Sequence, residues 1–473
     1  MGMNQTAERA NIGLISAIVA VATIGGLLFG YDSGAVNGTQ PGLKAAFALD
    51  DAGLGFTVGS LLIGCFIGAF FAGTLADKMG RRNVMRLAAI LFLIGALVQG
   101  LAHDHNIFVI ARILGGMAVG AASVLSPAYI SEVAPANIRG RMTTVQQIMI
   151  ISGLTAAFVV NYYLAGAAGA STNPFWGGIE AWRWMYLMQA LPAAVFLIAL
   201  FFIPESPRYL VSKGRNPDAL RVLTDLFGPT EGGLKLAEIQ ASFSVDHRPR
   251  LSDVLTPAGG RGFLGIRAIV WAGLLLAVFQ QLVGINVIFY YGSTLWQAAG
   301  FSEADSLLIN IVSGAVSIAA CFITIAVIDK VGRKPLLLIG SAGMAITLFA
   351  MVYAFSQGAL VDNKLVLPGQ NGVIAVVAAN LYVIFFNVSW GPVMWVMLGE
   401  MFPNQIRGSA LAVCGFAQWF ANYLIAQAFP IMLAGIGLAA SYSFYAVCAV
   451  ISFFLVQRFI QETKGKELEA MEG

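Results

Sequence analysis

The chain has 473 residues, of which 58% are hydrophobic and 11% charged. A soluble domain carries about 25% charged residues, so this surface cannot mostly face water and the protein belongs in a membrane. A net charge of +3, dispersed along the sequence, excludes a nucleic-acid-binding role. Cys65, Cys321, Cys414 and Cys448 stand singly in apolar runs, which points to buried free thiols and to no metal site. The amino terminus lacks a basic region followed by a small-residue cleavage site, so the first apolar segment is expected to stay as a spanning helix.

In chain order, twelve apolar segments reach spanning length: 12–36, 54–76, 84–101, 107–128, 143–164, 183–203, 267–292, 306–328, 335–355, 373–398, 409–433 and 438–460. The polar stretch 204–266 divides them six and six. Apolar residues recur there near helical spacing over 216–227 and 234–243, which predicts a small bundle of amphipathic helices. The expected layout is a six-helix half over 1–203, this linker, a second half over 267–460 and a tail over 461–473. Loops after segments two, four, eight and ten hold Lys78, Arg81, Arg82, Arg139, Arg141, Lys330, Arg333, Lys334 and Arg407. The loops on the other side hold Lys44 and Lys364, with Arg183 at a membrane edge. Basic residues stay on the cytoplasmic side, so both termini and the linker are predicted to be cytoplasmic, on a multi-pass protein of the cell inner membrane.

The halves repeat one another. DKMGRR from Asp77 recurs as DKVGRK from Asp329, SEVAPANIRG from Ser131 as GEMFPNQIRG from Gly399, and PESPRYL from Pro204 has a shorter echo in QETKG from Gln461. An all-α membrane fold of two pseudo-symmetric six-helix units, with a ligand site between them, is the build of a rocking transporter. The charged members, Asp77, Arg81, Glu132, Arg139 and Glu205 with Asp329, Arg333, Glu400 and Arg407, can form a network that pairs when the cavity opens outward and separates when it opens inward. They can equally serve as topology signals on a solvated face, and exposed pairs are individually weak.

Two ionisable residues lie inside spanning segments. Asp32 on helix one and Arg112 on helix four fall at similar depth in the outer half of the membrane and can pair. Such a pair is either a static buried salt bridge or a proton site, because an intramembrane carboxylate near water keeps its partner or takes up a proton. The stretch FQQLVGINVIFYYG from Phe279 adds Gln280, Gln281 and Asn286 to an apolar run, with Tyr290 and Tyr291 just beyond. Uncharged amides donate and accept, which suits a neutral ligand with many hydroxyls. At about 100° per residue no regular helix turns all of them to one ligand, so the helix is expected to break at Gly284, which with the two tyrosines forms a gating segment. The bland alternative is that the glutamines bond neighbouring helices. No HExxH, no GxSxG with partners, no catalytic metal cluster and no GxxxxGK[ST] occurs, so an enzyme, a cofactor and direct ATP drive are not expected.

Taken together, GGLLFGYDSG at Gly25, GTLADKMGRR at Gly73, ARILGGMAVG at Ala111, PESPRYL at Pro204, QQLVGINVIFYYG at Gln280, DKVGRK at Asp329, SWGPVMWV at Ser389 and AQWFANY at Ala417 resemble the sugar porters of the major facilitator superfamily, in the family's order. Bacterial proton-coupled glucose and xylose porters are the most similar type. The resemblance implies import of a monosaccharide with a proton by a carrier that works as a monomer, and proton-coupled members have Asp at the position of Asp32. It implies a sugar site that adds Gln147, Trp395, Gln418 and Trp419, with Phe29, Gly391 and Asn422 as further contacts and Trp390 as packing. Helix eight of the family often supplies an Asn where this chain has Ser317, and the xylose type has a Gln where it has Leu154. Both departures point from a pentose toward a hexose such as glucose; a uniporter, or a symporter for xylose or myo-inositol, is the alternative.

Overall fold

A computed structural model describes residues 10–242, 251–256, 263–361 and 364–464, with side chains left out at 136–141, 143–144, 242, 251, 253, 329, 360–361, 364 and 404–405. The described chain is almost wholly helical. The first half comprises α1 (Ile12–Phe47), α2 (Asp51–Met79), α3 (Arg81–Leu101), α4 (His105–Val133), α5 (Ala136–Ala168), α6 (Ala181–Leu187) and α7 (Ala190–Ala199). Three short helices follow, α8 (Pro207–Ser212), α9 (Asn216–Phe227) and α10 (Pro229–Ser242). The second half is α11 (Ala268–Leu282), α12 (Ile285–Ala298), α13 (Glu303–Val331), α14 (Arg333–Ser356), α15 (Asn371–Val388), α16 (Trp390–Met401) and α17 (Asn404–Phe459). A two-stranded hairpin, β1 (Ala359–Val361) with β2 (Lys364–Val366), joins α14 to α15.

Among the described residues, ten helical runs are long and apolar enough to cross a membrane. Expected segment six is divided between α6 and α7, and α17 carries segments eleven and twelve around a break at Gly437. Counting α17 twice and α6 with α7 once more gives the twelve expected crossings. The largest boundary error concerns α1, which continues from 36 to Phe47 through Pro41. Its extra turns hold Asn37, Thr39 and Gln40, all buried, whose polarity ends a hydropathy window although the helix goes on.

Glycines let helix backbones touch. A Cβ on Gly30 of α1 would lie 1.8 Å from the Ile150 carbonyl oxygen of α5, and one on Gly116 of α4 1.9 Å from that of Leu61 on α2. In lipid there is no hydrophobic drive between helices, so close packing of small residues supplies the association. Between the halves, α2 meets α17 where Gly55 abuts the Gln427 backbone, α5 meets α13 where Gly314 abuts Thr155, and α1 meets α12.

The end that carries the termini shows the sequence repeat as repeated geometry. Gly80 and Gly332, with φ of +96° and +102°, start α3 and α14. Glu205 Oε1 accepts from the Arg82 N–H at 3.0 Å, and Glu462 Oε1 from the Arg333 N–H at 3.1 Å, so an acid caps each helix. Arg81 pairs with Glu132 at 3.2 Å and with Asp77 at 3.1 Å, and Arg333 pairs with Glu400 at 2.8 Å. Ser206 and Thr463, next to the capping acids, donate to Glu132 and Glu400. Each of these pairs lies within one half. Arg407 donates to the Phe402 carbonyl at 3.0 Å, while the side chains of Arg139 and Asp329 lie outside the described residues. α8, α9 and α10 pack together at this end, and the Asn11 N–H donates to the Leu226 carbonyl, tying α9 to the start of α1. α9 spans the expected 216–227; the second expected helix, 234–243, begins five residues earlier, at Pro229, and Phe243 lies outside the described residues.

Partial burial works against a charge on Glu462, but the N–H groups of Lys464, Arg333, Lys334 and Thr463 outweigh it and hold the carboxyl below its ordinary range. A carboxylate with a depressed folded pKa adds stability above its unfolded value, and that contribution fades as pH falls through the folded value. Glu462→Gln is therefore expected to lower the melting temperature at neutral pH, with the gap to the parent closing only below the ordinary carboxylate range of about 4.3. Thermal melts in detergent at steps from pH 7 down to pH 3 check this.

Candidate functional site

Asp32 and Arg112 are each 1% exposed and meet at 3.2 Å between Oδ1 and Nη1. The arginine is over-provided with partners. Its Nε donates to the Thr57 carbonyl at 3.0 Å, its Nη2 to the Val58 carbonyl at 3.2 Å, and Nη1 also reaches Gln99 Oε1 at 3.2 Å. Asp32 is under-provided, because its Oδ2 is buried without a hydrogen-bond partner. Gln189, at the turn between α6 and α7, lies beside this carboxylate and donates to the Leu28 carbonyl at 3.3 Å. Arg112 would thus keep three neutral acceptors if Asp32 lost its charge, and Oδ2 is an open position for a hydrogen. Gly115 leaves the space: a Cβ there would lie 3.7 Å from Oδ2.

α11 and α12 part at Gly284, which adopts φ +85°, with the Tyr445 ring packed against its open face. The left-handed turn redirects the chain, so amides that a straight helix would scatter join in one hydrogen-bonded chain. Gln280 Nε2 donates to the Trp390 and Gly391 carbonyls at 3.0 and 3.3 Å, at the junction of α15 and α16. Gln280 Oε1 accepts from Gln281 at 3.2 Å and from Gln418 of α17 at 3.3 Å. Asn286 Nδ2 donates to Gln281 Oε1 at 2.6 Å and to Asn422 Oδ1 at 3.0 Å, and Asn422 donates to the Tyr290 hydroxyl at 3.1 Å. The Tyr291 hydroxyl turns to the Ala426 carbonyl at 2.6 Å. Buried donors and acceptors that satisfy one another can exchange these bonds for those of a polyhydroxylated ligand at little net cost. Gln418 Oε1 is already unpartnered.

Beside the chain of amides, the Phe29 ring of α1 meets the Trp419 indole of α17 edge to face, with centroids 5.6 Å apart, across the line between the halves. Trp390 is buried and its indole N–H is spent on Ser341 Oγ at 2.9 Å, as a packing residue would be. Three expected site residues, Gln147, Trp395 and Ser317, stand outside the network. Gln147 is half-buried on α5, one residue after Gln146, which packs against Gly26. Trp395 lies one turn past Gly391 and is 41% exposed. Ser317 is fully buried, donates to the Ser313 carbonyl at 2.7 Å and accepts from Asn387 Nδ2 at 3.2 Å. The short serine is thereby met by an amide from α15 that sequence reasoning missed.

Further missed residues hold α1 against the second half. Asn37 bridges two positions one turn apart on α12: its Nδ2 donates to the Phe289 carbonyl at 2.9 Å and its Oδ1 accepts from the Ser293 N–H at 2.8 Å. Asn310 of α13 also donates to Asn37 Oδ1 at 2.8 Å. Gln40 repeats the arrangement, donating to the Tyr290 carbonyl at 2.5 Å and accepting from Thr294. These bonds close the end away from the termini, and the Ser171 N–H adds a contact to the Glu303 carboxylate at 3.3 Å. The available signal was the amide pair at i, i+3 just beyond the first expected segment.

Residues 18–473 match the sugar (and other) transporter family. The chain is 46% identical over 466 residues to a glucose transport protein of Synechocystis, covering 98% of both chains. It is 37% identical to the D-xylose-proton symporter of Escherichia coli, covering 98% of this chain and 96% of the relative. Among solved structures it resembles the partially occluded inward-open form of the xylose transporter XylE from E. coli, with a TM-score of 0.82 and 35% identity over 96% of this chain and 100% of the other. The XylE structure bound to 6-bromo-6-deoxy-D-glucose gives a TM-score of 0.76 at 37% identity, over 98% of this chain and 99% of the other. With its motifs in the family's order, its twelve crossings and these likenesses over nearly all of its length, the chain is a multi-pass membrane protein of the sugar transporter family, with the major facilitator fold.

Proposed function

We propose that this protein imports a hexose, glucose being the first choice, together with a proton across the cell membrane by alternating access. The observation that carries the coupling is the imbalance at the buried pair, where Arg112 has four acceptors and Asp32 has one donor and an orphaned oxygen. A proton on Oδ2 neutralises the carboxylate while Arg112 stays held by Thr57, Val58 and Gln99. The ion pair that ties α1 to Arg112 is then released, and the halves 1–203 and 267–460 rock about the sugar. The sugar is bound by Gln280, Gln281, Asn286, Gln418 and Asn422, stacked on Trp419 and Phe29, with Gln147 and Trp395 joining as the cavity closes. Tyr290, which accepts from Asn422 while its backbone accepts from Gln40, connects the sugar amides to the gate between α1 and α12.

Glucose is favoured by the 46% identity to a glucose transport protein, and by the departures at Ser317, where the resemblance implies the family's frequent Asn, and Leu154, where it implies the xylose type's Gln. The basic loops support cytoplasmic termini. With that orientation the bonds of Asn37 and Gln40 close the outside, consistent with the higher TM-score against inward-open XylE. The protein in proteoliposomes, offered glucose, galactose, xylose and myo-inositol with and without an inward proton gradient, is expected to accumulate glucose only when the gradient is present. Equilibration of glucose that a pH difference does not alter would make it a uniporter, and accumulation of xylose in preference would overturn the hexose reading.

A further inference from the structure

α3 carries Arg82 and Arg86 one turn apart, at the terminal end of the face that it turns to lipid. Along the helix that face continues as Ile90, Ile94, Leu97 and Leu101, which are 40%, 45%, 41% and 51% exposed. α7 packs beside it and ends next to Phe201 and Phe202, which are 62% and 83% exposed. Arg81, adjacent in sequence, faces the other way and pairs with Asp77 and Glu132.

Arg82 and Arg86 have no carboxylate within ion-pair distance among the described residues. Arg82 Nη1 donates to the Ile203 carbonyl at 3.0 Å. Arg86 donates through Nη2 to the Leu200 carbonyl at 3.2 Å and through Nη1 to Asn83 Oδ1 at 3.2 Å, and its guanidinium lies 4.2 Å from the centroid of the Phe201 ring. Both Nε atoms are buried and unpartnered. Glu205, the acid that acts on Arg86 electrostatically, gives its Oε1 to the backbone N–H groups of Arg82 and Ser206, and its Oε2 is buried, without a hydrogen bond to either guanidinium. The carbonyls at the end of α7 supply only partial negative charge. Like charges one turn apart repel, and each guanidinium has five N–H donors, most of them unused here. Two cations thus share one nearby carboxylate, which leaves a net positive charge where an apolar face meets the membrane boundary, a place where basic side chains recognise lipid headgroups.

We infer that Arg82 and Arg86 form a binding site for the phosphate of an anionic phospholipid, whose acyl chains lie along Ile90, Ile94 and Leu97 of α3 and the exposed face of α7. The guanidinium fork suits phosphate oxygens, and the apolar stripe beneath it selects a lipid over a free anion.

Full-length protein in detergent, titrated with phosphatidylglycerol and with phosphatidylcholine of the same chains and read by native mass spectrometry, tests this. The parent is expected to hold phosphatidylglycerol on the order of 10-fold more tightly. The double variant Arg82→Gln, Arg86→Gln is expected to bring the two lipids within about twofold. Because Arg82 also holds the Ile203 carbonyl, Arg86→Gln alone, with its fold checked by size exclusion, is the second variant, and it is expected to lose several-fold of the preference. Equal binding of the two lipids by the parent, or an unchanged preference in Arg86→Gln, would overturn the site. Glycerol phosphate displacing phosphatidylglycerol at comparable concentration would make it a soluble-anion site and overturn the lipid assignment.

Discussion

Asp32→Asn is expected to abolish accumulation of sugar against a gradient while leaving sugar exchange intact. Each proton moved inward adds about 2.3 kcal/mol per 100 mV, enough for roughly 50-fold accumulation, and the variant should fall to equilibration. The fold should survive. Asn is isosteric, its amide N–H can fill the place of the orphaned Oδ2, and Arg112 keeps the Thr57 and Val58 carbonyls and Gln99 Oε1. Uptake into proteoliposomes under an imposed pH difference, run beside counterflow of labelled sugar, separates the two activities. Continued accumulation by the variant would sink the coupling role of Asp32. Loss of both activities with a normal melt would make the pair part of the rocking machinery.

The second large effect is expected at the chain of amides. Gln281→Ala removes the acceptor of Asn286 and the donor to Gln280 together, and Asn286→Ala cuts the link from Gln281 to Asn422. A buried hydrogen bond to a neutral partner contributes about 1 kcal/mol, and a group left unsatisfied costs about 1–3 kcal/mol more. With these side chains also bonding the sugar, either variant should weaken sugar binding by roughly 10- to 100-fold, with a modest fall in melting temperature from the partners left unsatisfied. Calorimetry with glucose checks this, and unchanged affinity in both variants would remove Gln281 and Asn286 from the sugar site.

The resemblance drawn from short motifs and the family match agree over the length of the chain. Much of the candidate site was legible because polarity inside an apolar segment is rare and costly: Asp32, Arg112, Gln280, Gln281 and Asn286 stand out for that reason alone. Gly284 was legible because these amides could not share one face of a regular helix. Asn37 and Gln40 were hidden by the same logic in reverse, since a polar cluster near a helix end looks like the end itself. Asn387 and Gln99 were hidden because a lone amide in an apolar run does not disclose its partner.

The sequence alone determined that the chain spans the membrane, that it is duplicated, which loops are basic and which residues are too polar for lipid. These follow from composition, spacing and the energetics of burial. Only the tertiary structure decided which partners meet. It joined Asp32 to Arg112 while leaving Oδ2 open, linked Gln280 through Asn422 to Tyr290, and inserted Asn37 between two backbone positions of α12. It also turned the repeated acids into caps on α3 and α14 and kept the described arginine pairs within each half. A hydrogen bond spans about 3 Å in space while its partners lie up to hundreds of residues apart in the chain, so helix packing alone selects it.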